Sequence, residues 1–149
     1  MLVCAVERVL RIGQLGHLQV FPGFYVYVGS AFGPGGVRAR VKHHCQLVTR
    51  PHWHIDYARE VMHLQEIWWT HEPVRQEHQW ATVLKKMPGA ISSLSEFGAS
   101  DCACESHLYY FAQKPTFGVF CRSVLGSWSL REELPVKVHR TLAREIDLG

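Results

Sequence analysis

The stretch from residue 23 to residue 44 predicts a strand, a glycine-rich turn and a helix in immediate succession. Residues 25–28 are aromatic or β-branched and suit a pleated strand, whereas the glycines and the proline that follow Ser30 cannot continue one. After Gly36 the apolar residues have helical spacing to about Leu47. Because the first turn of a helix exposes unpaired N–H groups, the helix start beside this strand end can hold an anion.

Three side chains around this turn are suited to binding a phosphate diester. Arg40 and His44 are four residues apart and project from one face of the predicted helix, and Tyr27 lies at the strand end. A guanidinium group can contact two phosphate oxygens at once. Arg38 and Lys42 add positive charge with no acidic residue among them, although a solvated helix face explains these charges equally well.

The length and composition predict one globular domain over residues 1–149, with residues 113–149 as a C-terminal accessory extension. Hydrophobic residues make up 47% of the chain and charged residues 19%, which excludes a disordered protein. We expect no membrane association, because no apolar run is long enough to span a bilayer. The odd number of cysteines, five, favours reduced thiols and a cytoplasmic location.

The remaining pattern predicts a small α/β (α+β) fold, in which a central mixed or antiparallel sheet is flanked by helices. The first strand is expected to pair antiparallel with the strand that contains Tyr27. The predicted elements are a first strand at 2–10, a helix at 37–47, a third strand at 61–69, a helix at 74–87 with Pro73 in its first turn, a fourth strand at 108–111, an extra strand at 117–125, a capped helix after Ser129 and a short amphipathic helix through Val138, Leu142 and Ile146.

A cysteine and histidine segment near residue 105 supplies ligands for tetrahedral zinc. Cys102, Cys104 and His107 are close in sequence, and His52 and His54 lie elsewhere in the chain. The spacing is tighter than that of common zinc knuckles, so a zinc site needs a ligand from a distant part of the chain. The alternative is a loop with buried thiols and a hydrogen-bonded histidine. The histidine-rich segment around residue 54 could equally carry a His–Asp pair that lines a cleft.

Three ordered segments resemble the GIY-YIG nuclease superfamily. Residues 27–31, the glycine-bearing loop, Arg40 and His44 resemble the second half of the family signature. Residues 52–57 and 97–108 are similar to segments of one branch, the small proteins or domains sometimes fused to endonuclease III-type DNA glycosylases. The resemblance ends near Pro115.

The resemblance implies a GIY-YIG-like fold and a metal-dependent endonuclease that hydrolyses DNA phosphodiester bonds in DNA repair or processing. Glu77, at the start of the helix after the third strand, would bind Mg²⁺ or Mn²⁺, which proteins hold through one or two carboxylates. Its alternative role is that of an exposed first-turn acid favoured by the helix dipole. The implied site consists of the catalytic residues Tyr27, Arg40, His44 and Glu77 and the substrate-binding residues Gly29, Ser30, Arg38, Lys42 and His54.

The chain departs from this family at its first strand. Family members carry a Gly-Ile-Tyr tripeptide there, and its tyrosine acts with the second one as part of the base. The first strand here begins with Met1-Leu2-Val3 and has no tyrosine, so we expect either a late start or the loss of one catalytic phenol, and weak cleavage. Two alternatives from other classes are a non-catalytic nucleic-acid-binding module and a zinc-stabilised interaction domain.

Overall fold

A computed structural model describes residues 1–127 and 137–146, and over these residues the fold is α+β, as predicted. Among the described residues, no helix is long and apolar enough to cross a membrane. The strands are β1 (Leu2–Cys4), β2 (Arg8–Ile12), β3 (Gly16–Val20), β4 (Gly23–Tyr27), β5 (Met62–Leu64), β6 (Glu66–Trp69), β7 (Ile91–Ser92), β8 (Leu108–Phe111) and β9 (His139–Leu142), and the helices are α1 (Gly36–Cys45), α2 (His54–Ala58), α3 (Glu77–Lys86), α4 (Phe117–Ser127) and a 3₁₀ turn (Ala143–Glu145).

Strand β4 is the centre of a five-stranded sheet with the order β5-β1-β4-β8-β7. Every neighbouring pair in this sheet is antiparallel, including the predicted pair of β1 and β4. Two further pairs, β2 with β3 and β6 with β9, form separate two-stranded sheets. The end of β4 therefore lies inside the main sheet, where neighbouring strands fix its position.

Alternate residues of β4 enter two hydrophobic cores on opposite faces of the sheet. Val26 and Val28 pack in the core that contains residues of α3 and α4. Tyr25 is 1% exposed in the other core, which is built with the β2–β3 hairpin and α2, and its hydroxyl bonds the backbone of Phe21. Tyr27 is partly buried on the same face and forms the end of the strand. The two tyrosines share one face, but Tyr25 is a core residue.

The structure divides two of the predicted strands. The first, expected over residues 2–10, is split into β1 and β2, which lie in different sheets. The third, expected over residues 61–69, is split into β5 and β6, and the backbone N–H groups of Gln65 and Glu66 both donate to the Met1 carbonyl at the break. Helix α3 begins at Glu77, so Pro73 lies in the preceding loop and not in the first turn of the helix.

Two predictions for the C-terminal region are wrong. Residues 117–125 form helix α4, in which Phe120 and Val124 are four residues apart and pack into the core. Residues 139–142 form β9, because pairing with β6 supplies backbone hydrogen bonds that a short helix would lack. The helix expected after Ser129 falls outside the described residues.

Candidate active-site cavity

A cavity of about 160 Å³ lies beside the end of β4, between α1 and the start of α3. The four residues predicted to be catalytic all contribute to its wall, and Gly29 and Ser30 do so as well. Arg38 and Lys42 are exposed on α1 and do not line the cavity, and neither does His54. The residues that line the cavity include Tyr27, Gly29, Ser30, Arg40, His44, Gln76 and Glu77.

The Arg40 guanidinium is held in place by two aromatic residues. Its Nη2 donates a long hydrogen bond of 3.4 Å to the Tyr27 hydroxyl, and its Cζ lies 3.8 Å from the centre of the Trp53 ring. A Cβ at position 29 would lie 3.0 Å from Nη2 and 3.1 Å from Cε1 of Tyr27, so Gly29 allows this close approach. The Arg40 Nε is buried with no hydrogen-bond partner among the described residues. The guanidinium of Arg40 is therefore held in one position and still has N–H groups that can donate hydrogen bonds to a ligand.

The two titratable rings that line the cavity, those of His44 and Tyr27, are uncharged at neutral pH. Burial lowers the pKa of His44 to about 3, and the positive charge of Arg40 contributes to this shift. Burial raises the pKa of Tyr27, and the neighbouring Arg40 opposes that effect only in part. The cavity thus places the positive charge of Arg40 near a neutral imidazole and a neutral phenol. Such a set can bind an anion and accept a proton at the imidazole.

Asp56 connects helix α1, which carries Arg40, with the start of helix α2. Its carboxylate, 2% exposed, accepts hydrogen bonds from the backbone N–H groups of His52 and Trp53 and contacts Nε2 of His43 at 2.9 Å. Burial favours a higher pKa for Asp56, but the bonds from Trp53, His43 and His52 outweigh it and lower the pKa. A His–Asp pair exists, but its histidine is His43 of α1 and not one from the segment 52–56, and neither His43 nor Asp56 lines the cavity.

Glu77 and Gln76 supply oxygen atoms at the opposite wall. The Glu77 side chain is 13% exposed, and its Oε1 lies 3.6 Å from both Arg75 and His78, too far for a short hydrogen bond. The Gln76 side chain is buried, and neither its Oε1 nor its Nε2 has a hydrogen-bond partner among the described residues. Carboxylate and amide oxygens are ligands that Mg²⁺ and Mn²⁺ accept, so these residues fit a hard divalent ion.

Replacing Gln76 by leucine should have opposite effects on stability and activity. An unsatisfied buried amide is costly, so Gln76→Leu is expected to raise the free energy of unfolding by about 1 kcal/mol in a denaturant titration. The same change removes an amide from the cavity wall, so it is expected to reduce about tenfold the DNA cleavage that the family resemblance implies. The control is Gln79→Leu on α3, the helix that begins directly after Gln76, because the Gln79 amide already bonds Ser127. Lower stability together with unchanged cleavage in Gln76→Leu would show a purely structural residue.

His54 fixes a loop behind Tyr27. Its Nδ1 accepts a hydrogen bond of 3.0 Å from the backbone N–H of Gly98. Gly98 has a φ of 68°, and a Cβ there would lie 3.0 Å from Cε2 of Tyr27 and 3.2 Å from Cβ of His107. The described geometry gives His54 a positioning role in place of the predicted contact with substrate.

The cysteine and histidine segment gathers into a cluster, as predicted, but its distant partner is different. The side chains of Cys102, Cys104 and His107 meet His78 of α3, and one ligand atom from each lies within 4.8 Å of the others. His52 and His54 are not part of this group. The potential ligand atoms of His43, His44 and Asp56 also lie within 4.8 Å of one another, but the Asp56 oxygens already accept hydrogen bonds.

Sequence reasoning assigned no site role to Trp53, Gln76 or His78, and it placed Asp56 only in a His–Asp pair within its own segment. Asp56 had a local signal, since an acid at the third helical position often bonds the amide at the helix start. Trp53 had none, because its contact with Arg40 depends on tertiary packing. His78 adjoins Glu77 in sequence, but only the position of α3 beside the loop brings it to the cysteines.

The chain is a small α+β protein with a cavity whose wall includes the guanidinium of Arg40 and the carboxylate of Glu77. The chain belongs to the family described as "Domain of unknown function DUF123", whose model matches residues 1–128. No curated protein and no solved structure gives a significant match.

Proposed function

We propose that this protein is a metal-dependent endonuclease of the GIY-YIG type that hydrolyses phosphodiester bonds in DNA. The observation that carries the proposal is the convergence of Tyr27, Arg40, His44 and Glu77 on one cavity. These residues come from a strand and two helices that are far apart in sequence. A cation, an acid and two neutral groups able to transfer protons, all facing one cavity, are the combination expected at a catalytic site.

Arg40 is the phosphate-binding residue in this proposal. Its contacts with Tyr27 and Trp53 fix the plane of the guanidinium before substrate arrives. A fixed guanidinium can donate to two phosphate oxygens and stabilise the charge that grows on them in the transition state. Lysine could not reproduce the paired donors or the stacking on Trp53.

His44 and Tyr27 act on the attacking water. Neutral His44 can accept the proton that the water loses as its oxygen bonds to phosphorus and the bond to the leaving oxygen breaks. A bound phosphodiester brings negative charge beside the imidazole, which raises the pKa of His44 and makes it a better acceptor. Tyr27, with its raised pKa, remains a phenol that orients the water by hydrogen bonding.

Glu77 would hold the divalent ion, with the Gln76 amide oxygen beside it. When bound, such an ion supplies Lewis-acid stabilisation of the phosphate and of the leaving oxygen. The carboxylate is suited to this role because none of the described residues forms a short hydrogen bond with its oxygens.

DNA is the proposed substrate because the cavity lies beside a basic helix face. Arg38 and Lys42 are exposed on α1, the helix that carries Arg40, and its first turn contains no acidic residue. These side chains can neutralise phosphates on either side of the one in the cavity. This contribution should weaken as the salt concentration increases.

Incubation of end-labelled DNA with the purified protein tests this function. Branched, nicked and single-stranded substrates are incubated with Mg²⁺, Mn²⁺ or excess chelator, and the products are separated on denaturing gels. We expect cleavage of at least one substrate with either metal and none with chelator. Salt-sensitive binding of DNA without cleavage under any of these conditions would instead indicate a non-catalytic binding module.

The register of β1 and β4 allows the expected role of a first-strand tyrosine to be tested. Leu2 pairs with Tyr25, so a residue added directly before Met1 would lie opposite Tyr27 if the pairing continued. Adding Gly-Thr-Tyr there is expected to raise the cleavage rate by about 10²-fold, the lower range for an acid–base group. Adding Gly-Thr-Phe is the matched control, since it lacks only the hydroxyl. Equal cleavage rates for the original chain and the two extended chains would show that a first-strand tyrosine has no role in catalysis.

A further inference from the structure

We infer that His78, Cys102, Cys104 and His107 form a structural zinc site that joins the start of α3 to the loop behind Tyr27. The four ligand atoms lie within 4.8 Å of one another. Two thiolates and two imidazoles are a donor set that selects zinc over hard ions such as Mg²⁺. This inference is independent of the proposed nuclease activity.

The spacing of the donor atoms fits a single tetrahedral ion. Nδ1 of His78 lies 3.3 Å from Sγ of Cys104, and Nε2 of His107 lies 3.5 Å from Sγ of Cys102. With metal–ligand distances of about 2.0–2.3 Å, the ligand atoms of a zinc tetrahedron lie roughly 3.3–3.8 Å apart. These two contacts therefore already match edges of such a tetrahedron.

The loop that supplies three of the ligands is held in shape by its own backbone. The N–H of His107 donates to the Phe97 carbonyl and the N–H of Glu96 to the Glu105 carbonyl, both at 2.7 Å. A further bond joins the N–H of Cys102 to the Ala99 carbonyl at 3.2 Å. The His107 side chain is also buried. This loop presents its ligands with little freedom, so zinc needs only His78 from α3 to complete the site.

His78 connects the zinc site with Glu77. If Nδ1 binds zinc, the proton of the imidazole is on Nε2, which lies 3.6 Å from Oε1 of Glu77. A metal-bound histidine commonly directs its other nitrogen towards a carboxylate. Zinc would thus fix the first turn of α3, where Glu77 lines the cavity.

Metal analysis of the whole chain, purified without chelators, tests the site. We expect about one zinc per chain, and its loss in His78→Ala and in Cys102→Ser. Cys121→Ser, which changes a thiol on α4, is the matched control and should keep its zinc. Both ligand variants should also show a lower melting temperature than the control.

Cobalt binding keeps the test decisive if a ligand variant does not fold. Co²⁺ added to metal-free wild-type protein should give the visible spectrum of a tetrahedral ion with two thiolates, and excess zinc should abolish it. His78→Cys should retain binding with a spectrum of three thiolates. The inference is overturned if reduced wild-type protein binds neither zinc nor cobalt, or if His78→Ala keeps its full zinc content.

Discussion

Replacing Glu77 by glutamine is expected to reduce metal-dependent DNA cleavage strongly and to leave DNA binding nearly unchanged. The substitution keeps the size of the side chain but removes the charge that holds a divalent ion at the wall of the cavity. A metal ion contributes several kcal/mol to transition-state stabilisation, and about 1.4 kcal/mol corresponds to a tenfold change in rate, so the loss should be about 10³-fold. Single-turnover cleavage at saturating Mg²⁺ measures it.

The matched control is Glu60→Gln, which changes an exposed acid that pairs with Arg8 away from the cavity. It should cut DNA at the wild-type rate. Equal stability of the two variants in thermal unfolding would show that the loss in Glu77→Gln is not a folding defect. Full activity of Glu77→Gln, or wild-type cleavage in excess chelator, would contradict the assignment of Glu77 as the metal ligand.

Replacing Arg40 by alanine is expected to reduce both DNA binding and cleavage. The guanidinium, whose Nε is buried, is the charged group that contacts Tyr27 and Trp53 beside the cavity, and removing a preorganised donor of this kind costs about 10²–10³-fold in rate. Arg40→Lys should recover little activity, because an ammonium group cannot bind two oxygens in one plane or stack equally well on Trp53. Gel-shift titration and single-turnover rates separate the two effects.

Arg11→Ala serves as the control for charge, because Arg11 is exposed on β2 and does not line the cavity. It should cleave DNA like the wild-type protein. If Arg40→Lys retained full activity, positive charge alone would explain the role of this position. If Arg40→Ala retained full activity, the cavity would not be the site of phosphate binding.

Local sequence patterns were sufficient to predict the central part of the fold. The β-branched and aromatic residues of β4, followed by glycines, predicted a strand that ends near Ser30 and a helix that begins after Gly36. The structure confirms the strand, which ends at Tyr27, and the helix, which begins at Gly36. The antiparallel pairing of β1 with β4 and the strand β8 are confirmed as well. These features depend on the backbone preferences of a few neighbouring residues, and such preferences can be recognised in a single sequence.

Features that depend on distant partners could not be predicted in this way. Segment 117–125 has apolar residues that suit a strand, but packing against α3 selects a helix. The C-terminal segment has helical spacing, but the free edge of β6 pairs with it as a strand. For the same reason the stacking of Trp53 on Arg40 and the approach of His78 to the cysteines become visible only in three dimensions.

The double variant Arg40→Ala/Glu77→Gln tests most directly whether the cavity is one active site. When two groups act on the same reacting phosphate, the effects of removing them are strongly non-additive. Once one group is lost, the other contributes little further stabilisation of the transition state. Single-turnover cleavage of one DNA substrate is measured for the wild type, both single variants and the double variant at saturating protein and Mg²⁺. We predict that the double variant is no more than about tenfold slower than the slower single variant. A double variant whose loss equals the product of the two single losses, or that still cleaves at the wild-type rate, would contradict a shared catalytic cavity.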